Sequence, residues 1–483
     1  MPCFLVRTVF IYCLNTDYLG ASGLFTNIIS LLSFAELGIG TAIIYNMYKP
    51  VSEGDNEKIK SLLQLYKNAY NLIALVVLVI GVALVPFLDF IVGETPQIKE
   101  NIVIIYLLFV INVSASYLYA YKKSIIIAYQ KQSIINYIDS VFYFAKSCLE
   151  IAVLLLTHNY IIYLIIIVIS TVIENIVIYI KADRLFPYLT SGKAKELDKN
   201  EKNFIFSNIK SLATYQFGSV ILNGTDNIII SAMINLTTVG LVSNYTLVIT
   251  SIKGILINGL NNLTASIGNL NISEDKKKKK SVLNQLTFLY FILYSIIGVG
   301  VINCLNPLIN IWLGQNFLLN DSITIALVIS FFIEGIRQPC FMFRTTLGMF
   351  QKSKITPYIG AITNVVLSIL LCKYIGLVGI FVATSIAQIF SYVIIDPYLI
   401  YKYEFHSNVV EYYFKLIVYF SIFILQVICS YTVCNLIHLR GMKLLFANGI
   451  ISVIIASGII ILFFSKSSEM KSLVNRIKIF RSR

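Results

Sequence analysis

Residues 15–50 read NTDYLGASGLFTNIISLLSFAELGIGTAIIYNMYKP, and this stretch contains the features that decide the fold. A short polar turn at Asn15 comes before about 25 mostly apolar residues, enough to cross a bilayer as a tilted helix. Gly20 and Gly23 lie about one helical turn apart and would let a second helix approach closely. Glu36 lies mid-span, where an unpaired charge is costly. With the charged run SEGDNEKIK that comes next, the pattern predicts a membrane helix between a tight outer turn and a charged inner loop.

The composition extends this prediction to the whole chain. Of its 483 residues, 57% are apolar and 13% are charged, and the mean hydropathy is +0.80. Apolar runs long enough to span a membrane recur from end to end, and runs such as IIYLIIIVIS lack the alternation of a β-barrel strand. The sequence therefore predicts an all-α polytopic membrane protein with about fourteen transmembrane helices. The three histidines are scattered and the cysteines form no CxxC pattern, so we expect no metal site.

The loops divide lysine and arginine unequally. If the spans alternate and the amino end lies inside, the outer loops contain only four of these residues: Lys99, Lys373, Arg440 and Lys443. The remaining loop cations lie in inner loops, which explains the net charge of +14 without a nucleic-acid partner. The positive-inside rule then predicts a multi-pass protein with both termini in the cytoplasm.

An internal repeat is visible at an offset of 220 residues. LNTDYLGASGLFTNIIS (14–30) lies over INLTTVGLVSNYTLVIT (234–250), and YLGASGLF (18–25) is echoed by YIGLVGIF (374–381). Hairpins repeated in the same orientation predict two parallel lobes of six helices. Under this offset the first helix lacks its opening turns, so we expect it to be truncated.

The repeat sets the predicted domain organisation. It comprises, in order, an N-terminal lobe at 1–180, a cytoplasmic linker at 181–208, a C-terminal lobe at 209–402, and two extra helices with a basic cytoplasmic tail at 403–483.

The run LVRTVFIYCLNTDYLGASGLFTNIISLLSFAELGIGTAIIYNMYKPVSEGDNEKI (5–59) closely resembles the start of bacterial polysaccharide flippases of the Wzx type. These belong to the multidrug/oligosaccharidyl-lipid/polysaccharide exporter superfamily. The resemblance implies a V-shaped two-lobed fold in the bacterial cell membrane. It also implies alternating-access transport of undecaprenyl-diphosphate-linked oligosaccharide repeat units from the cytoplasmic to the outer leaflet, for surface polysaccharide biosynthesis. The implied partners are this lipid-linked oligosaccharide, membrane lipids and the polysaccharide polymerase machinery.

A diphosphate headgroup that crosses an apolar slab calls for cations inside the membrane. Four lie within predicted spans: Arg7, Lys146, Lys253 and Arg337. Arg7 and Lys253 have no acidic residue at helical spacing, which favours a role in binding substrate. Arg337 follows Glu334 by three residues and Lys146 precedes Glu150 by four, so for these two simple neutralisation on one helix face is an equal alternative.

Five acids also lie within predicted spans, namely Glu36, Glu150, Glu174, Asp226 and Glu334. A buried carboxyl group can exchange a proton as access alternates, so these are candidates for coupling to a proton gradient. For Glu36, a hydrogen bond inside its lobe to Ser30, Ser33 or Thr41 is an equal alternative. Coupling to sodium, or no coupling, fits the sequence as well, and no other cofactor is expected.

The sequence contains no Walker motif and no Gly-x-Ser-x-Gly elbow, so it predicts no enzyme. A multidrug or cation antiporter of the same superfamily remains an alternative. A membrane-embedded polysaccharide polymerase or ligase is a second alternative, disfavoured because the longest outer connection, near 305–321, is too short for a folded domain.

Overall fold

The chain was analysed as a computed structural model. The structure describes residues 2–33, 39–92, 97–190, 224–260, 275–349 and 352–481, with isolated positions between 197 and 222 and between 263 and 270. Every regular element in these ranges is a helix. By clustering of its contacts the chain divides into two units, Met1–Gly240 (unit 1) and Leu241–Arg483 (unit 2). The lobe boundaries derived from the sequence remain predictions.

Unit 1 contains ten helices in its described ranges and the start of an eleventh. They are α1 (Pro2–Cys13), α2 (Thr16–Leu32), α3 (Ile39–Glu53), α4 (Asn56–Ala83), α5 (Leu88–Val92), α6 (Ile102–Tyr117), α7 (Ala120–Ala128), α8 (Gln132–Thr157), α9 (Tyr160–Leu185), α10 (Asp226–Met233) and the first turn of α11 (Leu236–Leu260).

Unit 2 contains the rest of α11 and the helices that follow it. They are α12 (Lys276–Leu313), α13 (Asp321–Ile336), α14 (Gln338–Thr346), α15 (Thr356–Ile375), α16 (Leu377–Gln388), α17 (Ile394–Ile400), α18 (Val410–Asn435), α19 (Gly441–Phe464) and α20 (Ser468–Arg481). A short π-helical segment at Ile389–Val393 joins α16 to α17, and a second at Tyr401–Phe405 follows α17, so that Leu377–Phe405 forms one long helix.

Within the described ranges, ten helices are long and apolar enough to cross a membrane, or eleven if one bent pair counts as a single span. The prediction of an all-helical protein with many membrane spans is therefore confirmed. The count of fourteen stays a prediction, because several predicted spans include residues outside those described. The first predicted span appears as a short apolar helix, Cys3–Cys13.

The helices of the two units begin at repeated positions. Five helices of unit 1 have counterparts that start about 220 residues later, at the offset seen in the sequence: Thr16 and Leu236, Asn56 and Lys276, Ile102 and Asp321, Ala120 and Gln338, Tyr160 and Leu377. The regular spacing supports an internal repeat of helices.

In both units one counterpart helix is interrupted, by a bend in unit 1 and by a single residue in unit 2, where Asp321–Thr346 remains one candidate span. α6 and α7 are bent by 41° at a break that contains Tyr119, whose φ of +68° a non-glycine residue rarely adopts. α13 ends at Ile336 and α14 starts at Gln338, with Pro339 at its second position. Proline has no N–H to donate and clashes with the preceding turn, so the backbone hydrogen bonding of the first helix stops there.

The polar turn at the start of the quoted stretch is held by hydrogen bonds within unit 1. Asn15 caps α2 by accepting hydrogen bonds from the backbone N–H groups of Asp17 (3.1 Å) and Tyr18 (3.3 Å). The Asp17 carboxylate accepts from the Gln97 N–H (2.7 Å) and from the Thr237 hydroxyl (2.5 Å). This turn therefore fixes the starts of α2 and α11 together.

The close helix approach expected at Gly20 is present between α2 and α11. A Cβ on Gly20 would collide with the Leu236 carbonyl group, and one on Gly240 would lie 2.5 Å from the Thr16 carbonyl oxygen. Gly20 and Gly240 are the two glycines that the offset of 220 aligns. Neither position has room for a side chain, because helix backbones meet there.

In unit 2, α18 and α19 pack on α12 through a buried amide network. The Asn303 amide donates to the Ser430 hydroxyl (3.0 Å) and to the Ser452 hydroxyl (2.9 Å). The Asn448 amide donates to the Asn303 carbonyl oxygen (3.0 Å). Side-chain hydrogen bonds between apolar helices fix their rotation and depth, which apolar contacts alone specify poorly.

Candidate functional site

Charged side chains of α1 and α8 share a cavity of about 170 Å³ in unit 1. Arg7 of α1 reaches it from one side, and Lys146 and Glu150 of α8 from the other. Glu150 is buried, and Tyr163 of α9 closes the wall. Two predicted cations thus line the same space, with one carboxyl group beside them. The excess of positive charge suits a bound anion.

Lys146 also lines a second cavity, of about 410 Å³, between α8 and α9. Glu174 and Asp139 both line this cavity. The Lys123 ammonium group lies 3.0 Å from the Asp139 carboxylate. The predicted coupling residue Glu174 therefore shares a cavity with a second acid, Asp139, and with the predicted cation Lys146.

Sequence reasoning missed Asp139. It lies in the same predicted span as Lys146 and Glu150, and an acid within a span is itself a signal for function. Its partner Lys123 comes from α7, on the other side of a loop, so the spacing of residues on α8 could not reveal the pair.

In unit 2 the structure gives the partners of three predicted charges. The Lys253 ammonium group of α11 forms an ion pair with the Glu334 carboxylate of α13. Glu334 therefore has its partner on a neighbouring helix, which the spacing of residues on α13 could not show. Arg337, the partner that spacing along the chain allowed as an equal alternative, directly follows the last residue of α13. Its guanidinium group lies over the Tyr392 ring, 4.2 Å from the centroid.

The Lys253–Glu334 pair is accessible as well as paired. Its side chains are 23% and 24% exposed. An ion pair that retains some exposure can exchange one partner for another anion or cation at lower cost than a fully buried pair.

The two remaining acid candidates differ in what the structure describes. Asp226 begins α10 and is half-buried, with α10 packed against α2 and α5. Glu36 lies outside the described residues. Their coupling roles remain predictions.

Two further ion pairs were not expected, because their cations were assigned to inner loops. Arg344 of α14 and Asp396 of α17 form a pair at 2.9 Å whose side chains are 0% and 1% exposed. Lys122 of α7 forms a pair with Asp183 of α9 in unit 1. Both cations lie in helices rather than in loops, on the second segment of each interrupted helix. Within the described residues, no group of three or more His, Cys, Asp or Glu side chains could hold a metal ion.

The fold of the chain is that of solved transporters of the MOP superfamily. It matches an inward-facing multidrug resistance MATE family transporter of that superfamily with a TM-score of 0.65 and 14% identity, over 82% of this chain and 92% of that one. It matches the lipid II flippase MurJ, in an inward closed conformation, with a TM-score of 0.65 and 18% identity, over 96% of this chain and 98% of that one.

A third match is the Vibrio cholerae MATE transporter VcmN in the bent form, with a TM-score of 0.52 and 14% identity over 80% of this chain and 89% of that one. No protein-family model matches the chain, and no curated protein matches its sequence. At these identities the likeness establishes the fold alone.

Proposed function

We propose that the protein is a flippase for undecaprenyl-diphosphate-linked oligosaccharide repeat units in surface polysaccharide biosynthesis. The observation that carries the proposal is the placement of cations inside the helical bundle of each unit. Arg7 and Lys146 share one cavity in unit 1, and Lys253 and Arg337 lie on spans of unit 2. Cations at this depth suit an anionic headgroup, and the planar fork of arginine can hold two phosphate oxygens at once.

The extent of the fold match favours a lipid-linked substrate. The match to the lipid II flippase covers 96% of this chain, whereas the match to the inward-facing MATE transporter covers 82%. A flippase of this kind holds the polar headgroup between its helices while the prenyl tail stays in the lipid. It would work in the bacterial cell membrane, with cytoplasmic termini, and hand its product to the polymerase machinery.

The Lys253–Glu334 pair supplies a mechanism for coupling binding to movement. In this conformation the Lys253 ammonium group donates a hydrogen bond to the Glu334 carboxylate, and a diphosphate oxygen would compete for the same ammonium group. The substrate would then shift the balance between two states by binding one of them better. The acids Glu174 and Asp139 could take up and release a proton as access alternates, which would couple the cycle to a proton gradient.

Complementation tests the proposal. A strain that lacks its polysaccharide flippase receives the parent gene, Arg7→Ala, Lys253→Ala, or Lys354→Ala as a matched control on an exposed lysine. We expect the parent and the control to restore surface polysaccharide, and both cation variants to fail at equal abundance in the membrane. Full restoration by both cation variants would contradict the substrate assignment. The conservative variant Arg7→Lys separates a folding defect from a binding defect, because it keeps the charge and loses only the fork.

A double-mutant cycle separates substrate binding from simple structural pairing at Lys253. If the pair is only structural, each single alanine variant leaves a charge unpaired and the double variant Lys253→Ala with Glu334→Ala recovers activity. If Lys253 also binds substrate, Lys253→Ala is the more harmful single change and the double variant stays inactive.

A multidrug or cation antiporter is the second candidate, favoured by the equal TM-score of the inward-facing MATE transporter. Glu150 and Glu174 line the two cavities of unit 1 and could attract a cationic drug. Drug resistance that rises with expression, without restored polysaccharide, would select this candidate.

A further inference from the structure

A second charged cavity lies in unit 2, outside the site described above. The amino-terminal parts of α12, α18 and α20 enclose a space of about 300 Å³. Three lysines line it: Lys277 and Lys280 from α12, and Lys415 from α18. By the distribution of charge along the sequence, this end of the helices is predicted to face the cytoplasm.

The cavity carries more positive than negative charge. Lys415 lies 2.9 Å from the Glu469 carboxylate of α20, and Lys280 lies 3.4 Å from that of Glu411. Lys277 is exposed and forms no ion pair with any residue that the structure describes. Two lysines are thus partly balanced and a third is not, which leaves the lining attractive to an anion.

Two hydrogen-bond acceptors in the lining also lack partners. The amide carbonyl oxygens of Asn284 and Gln285 are buried, and they accept no hydrogen bond from the described part of the chain. A buried acceptor without a donor is costly, so a ligand that brings O–H or N–H groups would be favoured at this point. The lining therefore calls for a ligand with a negative charge at one end and donors close to it.

The sequence of α20 places the mouth of this cavity at the lipid headgroups. Apolar residues of α20 recur at helical spacing, and basic residues lie between them: Met470, Leu473, Val474, Ile477 and Phe480 for the first set, and Lys471, Arg476, Lys478 and Arg481 for the second. A basic amphipathic helix that follows a membrane span lies in the interface. Its first turn supplies Ser468 and Glu469 to the cavity wall.

We propose that this cavity binds the headgroup of an anionic phospholipid that carries free hydroxyl groups, such as phosphatidylglycerol. The phosphate lies between Lys277, Lys280 and Lys415, and the headgroup hydroxyls donate to Asn284 and Gln285. Basic pockets between membrane helices at a cytoplasmic surface are suited to such headgroups. The site is independent of the proposed transport, and its occupant would fix α20 against α12 and α18.

Lipid binding to the full-length protein in detergent tests the proposal, with bound lipids counted by native mass spectrometry. The lipids are phosphatidylglycerol, phosphatidylmethanol, which has the same singly charged phosphodiester without the hydroxyls, and zwitterionic phosphatidylcholine. We expect affinity to fall in that order. Glycerol 1-phosphate serves as a soluble competitor that carries the same headgroup chemistry without the chains.

The key variant is the triple change Lys277→Gln, Lys280→Gln and Lys415→Gln. Its matched control is Lys352→Gln, Lys354→Gln and Lys402→Gln, which removes the same charge from exposed lysines of the same unit. We expect the first triple variant to lose about tenfold in phosphatidylglycerol affinity and the control to lose little. Since Lys415 also pairs with Glu469, Lys277→Gln alone provides a milder variant that leaves the docking of α20 intact.

Asn284→Leu tests the hydroxyl contact. It should remove most of the preference for phosphatidylglycerol over phosphatidylmethanol, because the unpartnered acceptor is gone. Equal binding of phosphatidylglycerol and phosphatidylcholine, or equal losses in the two triple variants, would overturn the site. Binding of glycerol 1-phosphate as tight as that of the lipid would overturn the assignment to a lipid and leave a soluble phosphate as the ligand.

Discussion

Units 1 and 2 both tie the second half of their broken helix to a later helix with one ion pair, but they do so with different residues. In unit 1 the pair is Lys122–Asp183, with side chains 7% and 19% exposed. In unit 2 it is Arg344–Asp396, with side chains 0% and 1% exposed. The positions are not matched by the offset of 220, although the helices are. The two units therefore reach the same connection by separate solutions, one of them far more buried.

The units also differ in where they place charge within the spans. Unit 1 carries it on α1, α8 and α9 around two cavities, whereas unit 2 carries it on α11 and α13 as one cross-helix pair. Helices at equivalent positions of the repeat thus carry different charged side chains. The repeat therefore conserves the order of the helices but not the charged side chains that they carry.

The largest effect on stability is expected when the ion pair of each unit is broken. We expect Arg344→Met to destabilise the protein by about 3–5 kcal/mol, because it leaves the Asp396 carboxylate buried without its partner. Lys122→Met should cost less, because Asp183 retains contact with water. Apparent melting temperatures in detergent measure the difference, and a loss for Lys122→Met as large as that for Arg344→Met would contradict it. As a control, Arg344→Met combined with Asp396→Leu should recover most of the loss.

A second test compares two glycines in the long helices α4 and α12. A Cβ on Gly81 would lie 2.5 Å from a methyl carbon of Val110, whereas a Cβ on Gly300 would meet nothing within 4 Å. Gly81→Ala should therefore destabilise unit 1 by about 1–3 kcal/mol through overpacking. Gly300→Ala should stabilise unit 2 by about 0.5–1 kcal/mol, since alanine is the better helix former. Melting temperatures that move in the same direction would show that the two helices are packed alike.

A third, smaller effect concerns the helices that follow the repeat in unit 2. Asn303 joins α12 to α18 and α19, and the residue that the offset aligns with it in unit 1 is the exposed Ala83. Asn303→Ala should cost about 1–2 kcal/mol, because each hydrogen bond between membrane helices contributes little more than half a kcal/mol and the Asn448 amide keeps its backbone acceptor. Ala83→Ser serves as the control and should leave the melting temperature unchanged. An equal shift in both variants would argue against a special role of the amide network.

The smallest effect is the pH dependence of α20. Burial acts to raise the pKa of the Glu469 carboxyl, but hydrogen bonds from Lys415 and Ser468 outweigh it and hold the pKa below the ordinary value of 4.5. The contribution of this contact to docking is therefore present above pH 4.5 and is lost as the pH falls through the lower folded-state pKa. It should amount to less than about 1 kcal/mol, because the Lys415 side chain is partly exposed.

The distance between spin labels on α20 and α18 measures this docking from pH 7 to pH 3. It should lengthen or broaden only at the acid end. Glu469→Gln should abolish the pH dependence, and an unchanged acid response in that variant would point to another titrating group.

The sequence predicted the repeat and the helical membrane fold because both depend on local patterns. The apolar runs are continuous, and the offset of 220 that aligns Gly20 with Gly240 also aligns the starts of the helices. The pairing of charges was predicted less well. Spacing along one helix suggested that Glu334 and Arg337 pair, but the helix ends between them and Lys253 approaches from a neighbouring helix. Partners across helices depend on packing, which spacing along one helix does not encode.

Of the two helix interruptions, the sequence contained a local signal for one only. Tyr119 adopts a left-handed backbone conformation, although it is neither glycine nor asparagine, so its residue type does not predict the bend. Lys122 follows this bend and pairs with Asp183. Pro339 was a visible signal for the break in unit 2, and it could have moved Arg344 out of the loop assignment. A proline inside a predicted span is therefore more informative than the charge that follows it.

The Lys253–Glu334 pair has a further consequence, for the electrical behaviour of the protein. As a pair the two groups carry no net charge, so their movement through a transmembrane voltage requires no electrical work. If, as proposed, a competing anion separates them, each charge feels the field, at about 2.3 kcal/mol per elementary charge for every 100 mV. Membrane voltage would then change the energy of the separated state and leave that of the paired state unchanged. The resting protein would be electrically silent, and transport current would report how often the pair opens.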